Sequence, residues 1–189
     1  MIDTMKIISL SEAAGLLRTG AVGIMPTDTV YGLVTLATDE VAVERFYALK
    51  SREAKPGTLI AASTDQLLAL GVPATEVEKV AQYWPNPLSA VLSVPGRNYL
   101  TQDVGTLAMR VVADAKIHQL LEQTGPLITS SANQPGQPPA MTIDQAVAYF
   151  GDSIDFYVDG GEIKDVLPST IIRPTPDGIE ILRQGSITL

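Results

Sequence analysis

The sequence predicts an α/β fold: one domain, residues 1–189, built on a mixed sheet with flanking helices. Three observations carry this. Short apolar runs interleave with amphipathic segments that begin at helix-capping residues. Hydrophobic side chains make up 46% of the chain and charged ones only 18%, enough buriable material for a large core. No repeat or low-complexity tract breaks the pattern, and a chain of this length suits a single core.

Ser9-Leu-Ser-Glu12 has the spacing of a capping box and opens a helix from about Ser11 to Arg18. That helix ends at Gly20, where a left-handed cap is easiest for glycine. Ala21 to Met25 is a buried strand stopped by Pro26. Asp39 caps a helix over Val41–Leu49, with Val43, Phe46, Tyr47 and Leu49 toward one side, and its C-terminus delivers Lys50. Thr58 to Ala62 forms the next strand. Thr64 or Asp65 opens a short helix to Leu70, and Ala74 to Tyr83 forms another. Pro85-Asn-Pro87 forbids regular structure, because two prolines restrict the chain and remove donors.

Leu88 to Val94 and Thr106 to Val112 are predicted strands. Asp114 caps a helix to Gln123 that closes at Gly125. Pro126 to Thr129 is a strand running into Ser130-Ser-Ala-Asn133. Gln134 to Pro139, with three prolines and a glycine, is a loop. Thr142 and Asp144 start a helix ending near Phe150-Gly151. Strands follow at Asp155–Val158, Ser169–Ile172 and Ile179–Leu182, the last two joined by the Pro174–Gly178 turn.

Composition removes several classes of chemistry. There are no cysteines, so disulfides, zinc–thiolate sites and cysteine nucleophiles are excluded. The single histidine, His118, rules out any site needing two imidazoles and reads as an ordinary helical side chain. No apolar run is long enough to span a membrane, and Met1–Leu10 lacks the pattern of a signal peptide, so a cytoplasmic protein without membrane attachment is expected. The net charge is −8, from 21 acids against 13 bases, which handicaps binding to nucleic acid. Neither G-x-x-x-x-G-K-[ST] nor G-x-G-x-x-G is present, which removes the P-loop and dinucleotide readings.

Three segments are candidates for chemistry. Met25-Pro-Thr-Asp-Thr-Val-Tyr-Gly-Leu33 sets hydroxyls after a buried strand, where open α/β sheets place ligands; the alternative is a strand-to-helix turn with its hydroxyls as caps. Lys50-Ser-Arg52-Glu-Ala-Lys55-Pro-Gly57 follows a helix with three cations that together suit a polyphosphate. Cations also complement a helix C-terminus, so a charged helix end stays open as a reading. Thr129-Ser-Ser-Ala-Asn133 ends an apolar strand with small polar side chains of the kind that line anion-binding nests, or that simply make a turn.

Taken in order, seven segments resemble the YrdC-type family. They are Pro26-Thr-Asp-Thr-Val-Tyr-Gly-Leu33, Leu49-Lys-Ser-Arg52, Trp84-Pro-Asn-Pro-Leu88, Ala108-Met-Arg-Val111, Ser131-Ala-Asn133, Pro168-Ser-Thr-Ile171 and Leu182-Arg-Gln-Gly185. The resemblance implies an open, twisted sheet with a large concave cavity, in the short, single-domain form of the family. It implies a nucleotidyltransferase, a threonylcarbamoyl-AMP synthase: L-threonine, bicarbonate or CO2 and ATP give threonylcarbamoyl-AMP and pyrophosphate. A separate transferase complex then modifies an adenosine of tRNAs reading ANN codons. No resident metal is expected; Mg2+ enters with ATP.

The same resemblance distributes roles. Lys50 and Arg52 hold the ATP phosphates and carry catalysis, with Lys55 as a helper; Ser131, Asn133 and Arg183 lie on the nucleotide side. Thr27, Tyr31, Arg110, Thr129 and Ser169 surround threonine, Arg110 pairing its carboxylate. The chain departs from the family pattern at Asn86, Ser89 and Pro135, and across Gly57–Ala62. Two other readings are an RNA-binding or accessory paralogue resembling YciO, which the net charge disfavours, and an adenylating enzyme for another small amine or carbamate.

Overall fold

The structure is a computed structural model that describes residues 6–51, 55–164 and 166–189. Its strands are β1 (Ile7–Ile8), β2 (Gly23–Pro26), β3 (Tyr31–Leu36), β4 (Thr58–Ala61), β5 (Leu88–Ser93), β6 (Thr106–Val111), β7 (Leu127–Ser131), β8 (Phe156–Val158), β9 (Thr170–Thr175) and β10 (Gly178–Arg183). The helices are α1 (Leu10–Leu17), α2 (Glu40–Lys50), α3 (Thr64–Ala69), α4 (Ala74–Val80), α5 (Asn98–Thr101), α6 (Ala115–Thr124) and α7 (Ile143–Phe150).

The strands form one sheet of mixed direction, in the order β1-β8-β2-β3-β7-β4-β6-β5-β9-β10. The pairs β1–β8, β8–β2, β4–β6 and β5–β9 are parallel, and the other five are antiparallel.

Neighbouring residues on one strand enter different cores. Leu33, Leu59 and Ile128 pack with Val43 and Phe46 of α2 and with Val77 and Val80 of α4. Val34, Ile60 and Leu127 pack with Ala13, Ala14 and Leu17 of α1 and with Ile117, Leu120 and Leu121 of α6. Side chains alternate across a strand, so a sheet covered on both faces needs continuous apolar runs. That is why the central strands carry no polar alternation.

The helix starts follow their local chemistry. Ser9 and Glu12 satisfy each other's backbone N–H groups at the start of α1. Asp39 caps α2 through the Ala42 N–H, and Asp114 caps α6 through those of Lys116 and Ile117. Gly20 and Gly125 follow α1 and α6 with φ of 83° and 86°, a conformation costly for any residue with a Cβ.

Three elements depart from the sequence reading. β3 continues the chain as a strand where one reading of the sequence has a strand-to-helix turn; five of its six residues are buried, so it shows no alternation to betray it. The two-residue β1 and the four-residue α5 are also unforeseen, both too short to generate a periodic signal.

Candidate active site

The sheet register brings the candidate residues onto one face. Gly32 lies opposite Ser131, and Val34 opposite Thr129. Thr129 pairs with Thr58, which pairs in turn with Ala108, while Ile60 pairs with Arg110. Val34 and Ile60 belong to the core under α1 and α6, so the alternation puts Gly32, Thr58, Arg110, Thr129 and Ser131 on that same face. Where those helices leave the face uncovered, a cleft of about 520 Å3 opens.

Of the residues expected from sequence, Thr27, Arg110, Thr129, Ser131, Ser169 and Arg183 line this cleft. Its rims are the β2–β3 turn, Pro56–Gly57, Pro139 with Met141, and Val166 with Pro168. Glycine is required at one point of the floor and one of the rim. A Cβ on Gly32 would stand 2.5 Å from Thr129 Oγ1 and 2.9 Å from Thr27 Cγ2, and one on Gly57 would stand 2.7 Å from the Thr129 carbonyl oxygen.

The remaining described candidates are not among the lining residues. Lys50 is 2% exposed at the end of α2. Its ammonium donates to the carbonyl oxygens of Ser131 and Asn133 at 2.7 and 2.6 Å, and to Asn133 Oδ1 at 2.9 Å. The Ser131 hydroxyl donates to the same Oδ1 at 2.7 Å, and Asn133 Nδ2 donates to the Gln137 carbonyl. Lys50, Ser131 and Asn133 are therefore one hydrogen-bonded cluster, with Ser131 presented to the cleft. Lys55 is exposed, its backbone N–H on Gln102 Oε1. Arg52 lies outside the described residues.

Tyr31 is fully buried beneath the cleft wall. Its hydroxyl donates to the Gly161 carbonyl at 2.8 Å and accepts from the Gly160 N–H at 2.8 Å, fastening the segment that follows β8. Burial raises the phenol's pKa, and the negative charge of Asp159 adds to the shift. A neutral phenol that both donates and accepts suits this fastening role.

Two arginines dominate the electrostatics. Arg110 makes a bidentate ion pair with Asp28, Nε to Oδ2 at 2.8 Å and Nη2 to Oδ1. Arg183 donates through Nε and Nη2 to the Ser169 carbonyl at 3.1 and 2.7 Å, and through Nη2 to Ser169 Oγ at 3.2 Å. Burial lowers the pKa of Arg183, and the nearby charge of Arg110 lowers it further. Between them the buried hydroxyls of Ser89 and Ser169 lie 3.1 Å apart, and Arg110 Nη1 reaches Ser89 Oγ at 3.4 Å. A continuous polar chain thus runs Asp28–Arg110–Ser89–Ser169–Arg183 across the cleft.

Asp28 and Ser89 are absent from the sequence-predicted site. Signals for both exist: Asp28 is the lone acid of the Pro26–Leu33 segment, and Ser89 is a hydroxyl inside the apolar run Leu88–Leu92. A cleft with two guanidinium groups, a row of hydroxyls and one carboxylate has the chemistry that suits an anion. Among the described residues, no group of three or more His, Cys, Asp or Glu could hold a metal ion, and no helix is long and apolar enough to cross a membrane.

Comparison with known proteins agrees with this fold. The family model for Sua5, YciO and YrdC, described as telomere recombination, matches residues 15–185. The threonylcarbamoyl-AMP synthase of Chromohalobacter salexigens is 36% identical over 168 residues, covering 86% of this chain and 90% of that protein. That of Pyrococcus abyssi is 36% identical over 186 residues, covering 94% of this chain; the chain spans only 54% of its length.

Among solved structures, P. abyssi Sua5 complexed with L-threonine superposes with a TM-score of 0.82 at 33% identity, covering 93% of this chain and 54% of that one. E. coli YciO shares the fold, with a TM-score of 0.78 at 23% identity over 93% of this chain and 88% of its own. The open mixed sheet, the motif order and these matches agree: the chain belongs to the Sua5/YciO/YrdC family.

Proposed function

We propose that the protein is a threonylcarbamoyl-AMP synthase, forming threonylcarbamoyl-AMP and pyrophosphate from L-threonine, bicarbonate or CO2 and ATP. The observation that carries this reading is the placement of Arg110 and Arg183 in one hydroxyl-lined cleft beside the Lys50–Ser131–Asn133 cluster. The names of relatives in this family support it: the C. salexigens and P. abyssi proteins are threonylcarbamoyl-AMP synthases, and P. abyssi Sua5 has been crystallised with L-threonine.

In this reading the threonine carboxylate goes to Arg110, with Thr27, Thr129 and Ser169 around the rest of the amino acid and Tyr31 holding the wall. The ATP phosphates run toward Ser131, Asn133 and Arg183, with Lys50, Arg52 and Lys55 on the phosphate side. Mg2+ arrives as the counter-ion of ATP. Threonine's carboxylated amine is a carbamate, and one of its oxygens attacks the α-phosphorus. The bond to the bridging oxygen breaks, and pyrophosphate leaves with the electron pair. Little covalent work falls to the protein. It brings two anions together and offsets charge on the leaving group, as a fixed set of guanidinium groups and hydroxyls can. The product serves a downstream tRNA threonylcarbamoyl transferase.

The deciding measurement is pyrophosphate release from ATP in the presence and absence of L-threonine and of bicarbonate. The reading requires both. ATP turnover that ignores threonine, or no turnover at all, would overturn it.

A further inference from the structure

Asp28 lies in the turn between β2 and β3, and Arg110 lies on β6, three strands away from β3 in the sheet order. Three inter-strand spacings are about 14 Å, so the turn has to fold over the face of β7 and β4 to make this ion pair. It does so low over the floor, with Thr27 tight against Gly32. The contact therefore crosses the cleft as a clasp.

The clasp is held by little else. Within the turn, Thr27 donates through both its N–H and its hydroxyl to the Val30 carbonyl, and Thr29 N–H donates to Thr27 Oγ1. Asp28 itself accepts only from Arg110 among the described residues.

The pair also occupies the arginine. Asp28 takes the whole Nε–Nη2 edge, Nη1 is directed to Ser89, and Arg110 is only 3% exposed. A guanidinium offers five N–H donors in a fixed fork, and a second carboxylate needs one of its two-donor edges. No such edge is open to solvent here. Without an anion in the cleft, two neighbouring guanidinium groups would also repel, and a carboxylate from the protein offsets that.

We propose that Asp28 is the internal occupant of the carboxylate receptor Arg110, and that an amino-acid substrate binds by displacing it. The inference rests on the synthase reading for the identity of that amino acid. Its consequence is specificity: a ligand that brings its own carboxylate replaces the interaction it breaks, whereas a ligand without one cannot. The closed clasp lowers apparent affinity by the fraction of time it excludes ligand.

The test is calorimetric titration of wild-type, Asp28→Asn and Asp28→Ser protein with L-threonine and with L-threoninamide, which lacks the carboxylate. Thermal melts identify which variants are folded, and either one suffices. Removing the competitor should tighten L-threonine binding by about tenfold, and L-threoninamide, which has no carboxylate to give Arg110 in exchange, should bind wild-type protein at least about tenfold more weakly than L-threonine does. Unchanged or weaker L-threonine binding in a folded variant overturns the proposal.

A measurement on the wild-type protein stands apart from the variants. Saturating L-threonine should speed hydrogen exchange at the Thr27 and Thr29 amides as the turn is released, and slower or unchanged exchange overturns the clasp. The two readings fail separately. If the binding pattern holds but no threonine-dependent pyrophosphate appears, the synthase reading falls and the clasp stands. If turnover is normal but Asp28 variants bind L-threonine no better, the clasp falls alone. If no form binds L-threonine, both fall.

Discussion

Lys50 Nζ lies 2.9 Å from Asn133 Oδ1, and that contact joins the end of α2 to the segment leaving β7. Two carbonyl oxygens of the same segment complete the cradle around the ammonium. The lysine thereby fastens Ser131–Asn133, besides the phosphate-side role proposed for it. Both roles point one way, because an anion arriving at Ser131 meets a backbone already held by a buried cation.

Lys50→Ala should therefore abolish turnover and also destabilise the fold. Removing one partner leaves three oxygens to find other donors, at a cost of about 2–3 kcal/mol. A lowered melting temperature together with lost pyrophosphate release is the expected pair of results. Lost activity with an unchanged melting temperature would mean that the cradle contributes nothing to stability. A double substitution with Asn133→Ala should be less damaging than the sum of the single effects, since both remove the same contact.

Ser89→Ala should break the hydroxyl link between the two arginines while leaving Asp28–Arg110 and Arg183–Ser169 in place. The loss of about 1 kcal/mol of hydrogen bonding corresponds to roughly a fivefold rise in KM for L-threonine. Steady-state kinetics with separately varied substrates would check this. An equal effect on the KM for ATP alone would place Ser89 on the nucleotide side instead.

The sequence carried α1, α2 and α6 and their caps to within a residue or two, because Ser9, Glu12, Asp39 and Asp114 act on backbone groups within four positions of themselves. It carried most strands as apolar runs. It could not reveal β3 as a strand, because burial on both faces erases the alternation that separates a strand from a buried turn or helix.

The site divides the same way. Residue types at the end of a strand pointed to Thr129 and Ser131, and the family resemblance pointed to Arg110, Ser169 and Arg183; all five line the cleft. What stayed hidden were contacts made across the sheet. Lys50 read as a phosphate-binding cation or a charged helix end, and only the fold brings the Asn133 segment to it. Asp28 looked like one hydrophilic residue of a turn until β6 supplied its arginine.

Gly185→Ala tests how far the segment after β10 positions this cleft. A Cβ at that position would stand 2.2 Å from the Pro168 carbonyl oxygen and 2.6 Å from Ser169 C, and both are backbone atoms that a rotamer change cannot move. The 168–170 segment would have to shift, carrying Ser169 and its contacts to Arg183 with it. A lower melting temperature and a weakened nucleotide affinity should appear together. A substitution that lowers stability but leaves ATP binding intact would show that Arg183 adjusts independently of Ser169.

Alkaline pH should expose a stability contribution from Tyr157, which is 1% exposed and donates to the Gly151 carbonyl at 2.7 Å. Burial, with a smaller contribution from the charge of Asp152, pushes the phenol from 10.0 to about 12. The folded state therefore keeps a proton that the unfolded state gives up first. Below pH 10.0 both states are protonated and the contribution is whole; it is lost as pH rises from there toward about 12. A shift of this size corresponds to a loss on the order of 2 kcal/mol.

Tyr157→Phe should lower stability at neutral pH by about 1 kcal/mol, because the Gly151 carbonyl loses its donor. It cannot ionise, so its stability should fall less steeply in the alkaline range, and the gap to wild type should narrow, close and then reverse. Urea unfolding followed by circular dichroism across this pH range would read the two slopes. Parallel curves would mean that another group, Tyr31 among them, accounts for the alkaline loss.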